Sequence, residues 1–174
     1  MKLKQLFILT LFFFSSYVFS QNHIYVGTKS YNATSEWSFS PVKRTFSDDE
    51  ILVQIGKSSN EGLLMLTVSS EYGQASITGA ILVYLKNGKA IQLLKKIASD
   101  YANDKVSVIY SIGANDLKEM RASNIIDIRF TYISPFKEKM GLNARNGQTY
   151  NNGMEVVDNV EIKTAVEVEK LFNK

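Results

Sequence analysis

The stretch ITGAILVYLKNGKAIQLL, residues 77–94, decides the fold. Two β-rich apolar runs, 77–86 and 90–94, flank Asn87-Gly88, with Lys86 and Lys89 beside the pair. An Asn-Gly pair between such runs is the strongest short hairpin signal, because a type I′ turn needs positive φ at both central residues. The spacing predicts a two-residue β-hairpin at Asn87-Gly88, its lysines in solvent.

Upstream, short apolar or alternating runs are separated by turn residues, the pattern of strands. Leu63 to Ser69 is the most apolar and is expected at the centre of the sheet. Glu50 to Gly56 places Ile51, Val53 and Ile55 on one face, after a turn at Ser47-Asp48-Asp49. Thr34 to Ser40 alternates, with Trp37 and Phe39 anchoring the core, and Pro41 ends it for want of an N–H. His23 to Thr28 is the first strand.

Downstream, residues 98–104 read as a loop and Lys105 to Ile112 as a cleanly alternating strand. Beyond Gly113, Asp116 and Glu119 have capping-box spacing, which predicts a helical turn with Leu117 and Met120 inward. Asn124 to Ile133 is strand again, with Asp127 and Arg129 opposite Ile126, Ile128 and Phe130. Ile51, Val53, Leu64, Leu66, Val83, Val108, Ile126, Ile128 and Phe130 form the predicted inward set. Residues 134–155 read as a long polar loop in which Ser134-Pro135 starts a helical turn that Gly141 ends. Thr164 and Glu167 form a second capping box, opening a C-terminal helix over about 163–172. Strand follows strand without the helices that parallel pairing requires. The fold class is therefore mainly β: an antiparallel β-sandwich or partly open barrel with a short C-terminal helix.

The hairpin Leu85-Lys-Asn-Gly-Lys89, the strand bearing Tyr110, the turn at Asp116-Leu117 with Met120, and Ser123, Ile125 and Ile128-Arg129-Phe130 form one module covering about a third of the chain. It resembles a pattern common in small, exported, uncharacterised β-proteins of Gram-negative bacteria. The resemblance implies an export compartment and a β-rich fold. It brings no catalytic residues and no known ligand.

Export is also read directly from the N-terminus. MKLKQLFILTLFFFSSYVFS has a basic start, a short apolar core, and Val18 and Ser20 at the −3 and −1 positions of a cleavage site. The apolar run falls short of the roughly 20 residues that span a bilayer. We therefore expect a secretory signal over 1–20 and a single domain over 21–174, without a membrane span, in the periplasm or outside the cell. Lys2 and Lys4 are two of the 20 basic residues, so the chain from Gln21 carries a net charge of +1 rather than +3. No basic cluster exceeds the pairs Lys43-Arg44 and Lys95-Lys96, so nucleic acid is not the expected partner.

Cys is absent and His23 is the lone imidazole, beside the expected cleavage point. Usual zinc ligation, thiol chemistry and disulfides are thereby excluded, and no metal or cofactor is expected. Asp48-Asp49-Glu50 lacks the spacing of a calcium loop. The two S-x-x-K matches, at Ser40 and Ser134, lack the companion motifs of serine acyl enzymes. The reading is an exported, non-catalytic envelope protein that binds a protein or glycan, or has a structural role. The alternatives are a small carboxylate-dependent hydrolase and an inhibitor that uses loop 134–155. Within that loop Arg145, Tyr150, Asn143 and Asn146 are the candidate ligand contacts: amides donate and accept, Arg adds a planar fork and Tyr a flat face.

Overall fold

A computed structural model describes residues 22–42, 51–70, 73–151, 155–158 and 160–173, with the backbone alone over 148–158. The expected signal over 1–20, the turn at 47–49 and Asn152-Gly153 lie outside the described residues. The described strands are β1 (Asn22–Val26), β2 (Lys29–Ala33), β3 (Trp37–Pro41), β4 (Ile51–Ser58), β5 (Glu61–Ser69), β6 (Ser76–Leu85), β7 (Ala90–Leu93), β8 (Lys96–Ala102), β9 (Lys105–Ile112), β10 (Ile125–Ile133), β11 (Lys139–Arg145), β12 (Gln148–Asn151) and β13 (Glu155–Asp158). Helix α1 (Ala114–Ala122) lies between β9 and β10, and α2 (Thr164–Phe172) closes the chain.

One antiparallel sheet runs β7-β6-β10-β11-β3-β4-β5-β9-β8, and the hairpin β1–β2 joins it at β4. Alternation sets its inner face. Trp37, Val53, Leu66 and Val108 stand opposite one another across four strands, as do Phe39, Ile51, Val68 and Val106 on the next rung. On the other half, Ile91, Val83, Ile128 and Ala144 form a matching rung. All of these side chains are buried in one core. Burying an aliphatic side chain contributes roughly 1.5–3 kcal/mol, so these rungs supply the main drive to fold.

The sheet curls so that β9 faces β6. Tyr110, fully buried, donates its hydroxyl to Gly79 O at 2.6 Å, and Lys96 Nζ reaches Ile77 O at 3.3 Å. Gly79 has φ +73 and sits where β6 slips register against β10, which bends the strand. The sheet remains open, because β7 pairs only with β6 and β8 only with β9 among the described residues. Mainly β, antiparallel and open, with a short C-terminal helix, is the architecture.

Several local expectations are corrected. The β6–β7 loop is three residues, Lys86 to Gly88, with only Gly88 at positive φ (+86). Lys86 N–H is drawn to Asn124 O and Asn87 N–H to Ser123 Oγ, so the turn yields to the neighbouring strand entry. The two-residue turn with both φ positive is instead at Asn103-Asp104, and residues 98–102, expected as loop, belong to β8. The first strand ends at Val26 rather than Thr28, because the chain turns at Gly27-Thr28 into β2, a strand the alternation did not announce. Ile126 is half-buried rather than inward, because the register slips between Ile125 and Asp127.

Neither expected capping box forms. Gly113 caps α1, with Asp116 inside the first turn. Thr164 is the first residue of α2, and its Oγ1 accepts Ile125 N–H at 2.8 Å. Asn124 Oδ1 instead takes the Ala165 N–H at 3.0 Å, capping α2 from across the fold. Glu167 accepts Ser35 N–H and Oγ–H. Arg121 joins the helices through Glu169, at 2.6 Å from Nε and 3.1 Å from Nη2. Gly62 lets α1 lie close on β5: a Cβ there would stand 3.0 Å from Ile112 Cδ1 and 3.2 Å from Leu117 Cδ1.

Candidate functional site

The two outer faces of the curled sheet differ. Over β4, β5 and β9, the β1–β2 hairpin lays Ile24, Val26 and Tyr31 on Leu63, Met65 and Ile109, forming a second small core. Over β6, β10 and β11, the outward residues are mostly polar and carry two arginines, with Leu82 among them. One rung reads Tyr84, Asp127, Arg145, Ser40; the next reads Gln92, Leu82, Arg129, Asn143. Strand spacing makes three strands of this face about 10 Å wide and its two rungs about 7 Å apart. Gln92, Arg129 and Asn143 are exposed, and Tyr84 and Leu82 are half-buried. Such a face offers amide donors and acceptors, a guanidinium fork and an aromatic surface.

The loop expected over 134–155 is sheet over Lys139–Arg145 and Gln148–Asn151. Its proposed helical turn is the β10–β11 hairpin, with Ser134 N–H on Glu138 O, Lys137 N–H on Ser134 O, and Lys137 at φ +66. Pro135 pre-sets the turn, while Met140, Leu142 and Ala144 alternate inward, a pattern the surrounding polar residues obscured. Lys139–Arg145 is thus bonded into the main sheet, whereas Gln148–Asn151 pairs with Glu155–Asp158 in a separate two-stranded sheet.

The four candidate residues divide. Asn143 and Arg145 come together on the outer face. Arg145 directly opposes Asp127, with Nη2 at 3.1 Å and Nε at 3.3 Å from Oδ2. Burial pushes the Asp127 carboxyl above the ordinary aspartate range, and the guanidinium pulls the other way. Its Oδ1 is buried with no hydrogen-bond partner among the described residues. Asn146 is turned inward instead. Its Nδ2 donates to Ile125 O and Ile162 O, and its Oδ1 accepts Ile162 N–H, all at 2.8 Å. Both amide protons are committed, so Asn146 clamps the segment before α2 to β10 and does not face a ligand. Tyr150 lies on β12 opposite Val156, and its side chain is outside the described residues.

Arg129, Gln92 and Tyr84 complete the face and were not among the candidates. Arg129 carried a signal, since period two sets it opposite Ile128 and Phe130. Gln92 and Tyr84 needed the strand order, which places β6 between β7 and β10. Among the described residues, carboxylates are dispersed into separate pairings: Asp127 with Arg145, Glu161 with Lys86, Glu119 with Lys89, Glu169 with Arg121. No group of three His, Cys, Asp or Glu able to hold a metal occurs among the described residues. Nor, among them, is any helix long and apolar enough to cross a membrane.

The fold and this face define an open, curled antiparallel sheet closed at one end by two helices. The chain matches no protein-family model, and neither a curated protein nor a solved structure is significantly similar to it.

Proposed function

We propose that this is an exported, non-catalytic protein of the bacterial cell envelope that binds a protein or glycan through the outer face of β6, β10 and β11. The observation that carries the reading is the contrast between the two outer faces. One is covered by the chain's own hairpin and has an apolar surface to match. The other presents Gln92, Arg129 and Asn143 in one exposed rung beside the Asp127–Arg145 pair. Side chains of this kind recognise hydrogen-bonding ligands such as a peptide backbone or a sugar ring. Export rests on the N-terminal signal, with its basic start, short apolar core and cleavage-site residues Val18 and Ser20.

The test compares partner capture from envelope extract by the wild-type protein and by Arg129→Glu and Asn143→Ala, each checked for an unchanged melting curve. A partner retained by the wild type and lost from both variants supports the reading. Equal capture by all three removes this face from the account. Intact mass of the protein recovered from the envelope fraction tests export: loss of residues 1–20 is expected, and retention of Met1 contradicts it.

A further inference from the structure

A second feature lies away from that face, at the helix-capped end. A groove of about 640 Å³ runs between the β4–β5 turn, α1 and α2. Leu117 and Phe172 contribute apolar surface, and Lys57, Lys118 and Arg121 contribute positive charge. Glu169 is the one carboxylate in the lining, and Arg121 already neutralises it with two hydrogen bonds. Lys57 and Lys118 therefore leave the groove with a net positive charge.

The two lysines play different parts. Lys57 is held in place: its Nζ is 3.4 Å from the Leu171 and Phe172 carbonyl oxygens and 5.7 Å from the Phe172 ring centroid. That ammonium is fixed beside an aromatic face and has no carboxylate partner among the described residues. Lys118 is exposed and makes no ion pair among the described residues. The volume is within the range of ligand pockets, about 300–1,000 Å³.

We propose that this groove binds an acidic, partly apolar peptide segment of a partner protein. Carboxylates of the segment meet Lys57 and Lys118, and an apolar side chain lies against Leu117 and Phe172. Charge complementarity favours this occupant. A nucleic-acid strand is less well served, since it needs a cationic track with several stacking aromatics, and here Glu169 faces the same space. The proposal is independent of the sheet-face reading.

The probe is the blocked hexapeptide acetyl-Glu-Phe-Glu-Glu-Phe-Glu-amide, titrated by calorimetry and by amide chemical shifts, with the all-Gln counterpart as control. Saturable binding is expected, with shifts centred on Lys118, Arg121 and Phe172 and weakened by added salt. The Gln peptide and the Lys118→Glu variant should each lower affinity about tenfold. Lys118 is exposed, so its variant should melt like the wild type; Lys57→Met, which also tests the held ammonium, should weaken binding in the same direction. Absence of saturable binding, equal affinity for the Gln peptide, scattered shifts, or affinity unchanged by Lys118→Glu would each overturn the proposal.

Discussion

Replacing Asn146 with Ala should be among the more damaging single changes in this protein, for structural rather than ligand-binding reasons. The side chain is 7% exposed and joins Ile125 O to both the N–H and the C=O of Ile162. Truncation strands two backbone groups, Ile125 O and Ile162 N–H, while Ile162 O keeps the Thr164 N–H. Ile125 is fully buried and cannot be rehydrated in place, whereas Ile162 is half-buried and regains some water. A buried group left unpaired costs about 1–3 kcal/mol, so a loss of about 2–4 kcal/mol is expected. For a domain of this size that lowers the melting temperature by about 5–12 °C. Asn146→Asp refines the test. Its carboxylate keeps the acceptor for Ile162 N–H but sets negative oxygen against the Ile125 and Ile162 carbonyls. Its folded pKa is thereby raised above the unfolded value of about 3.9. The protonated form is the favoured one, so stability is fullest below the unfolded pKa and falls as pH rises through the folded pKa. Urea denaturation with an unchanged m-value is the assay. An Asn146→Ala midpoint shift worth less than about 0.5 kcal/mol, or an Asn146→Asp protein more stable at neutral than at acid pH, would refute the clamp.

Thr164→Val keeps the shape but removes the acceptor of Ile125 N–H, and should cost about 1–2 kcal/mol in the same assay. A Cβ at Gly88 meets no atoms within 4 Å, so the cost of Gly88→Val starts from φ +86 and should be about 1 kcal/mol or more. Arg145→Met removes the group that lowers the Asp127 pKa, so the carboxyl, followed by carbon-detected NMR, should titrate higher still. Because that pKa is raised on folding, the variant should lose more stability near pH 7 than near pH 4. An Asp127 midpoint that does not move would show that the pair carries no electrostatic weight.

Period-two alternation made the sheet legible wherever one face was apolar without interruption, as at Ile51–Ile55 and Val106–Tyr110. It failed at β11, where Met140, Leu142 and Ala144 alternate inward among Gly, Asn and Arg, residues equally at home in turns. The capping boxes failed for a different reason. Thr164 and Glu167 have the right spacing, but each has a better partner distant in sequence, Ile125 N–H and Ser35. Local hydrogen-bond grammar predicts a helix start only where no tertiary partner competes. Asn87-Gly88 shows the same competition, since Ser123 and Asn124 capture the N–H groups of its loop. The candidate face was half legible: Asn143 and Arg145 were singled out as polar residues. Their joining with Arg129, Gln92 and Tyr84 depends on the strand order. The charged groove had no linear signal, because its lysines and arginine come from two separate segments.

The most direct test of the proposed function is photo-crosslinking in intact cells, with p-benzoylphenylalanine placed at position 84, aromatic for aromatic on the outward face beside Asp127, and, as a control, at position 25 on the hairpin-covered side. A discrete adduct from position 84, lost when Arg129 is also changed to Glu and absent from position 25, is the result the account predicts. Adducts from position 25 with none from position 84 would contradict it.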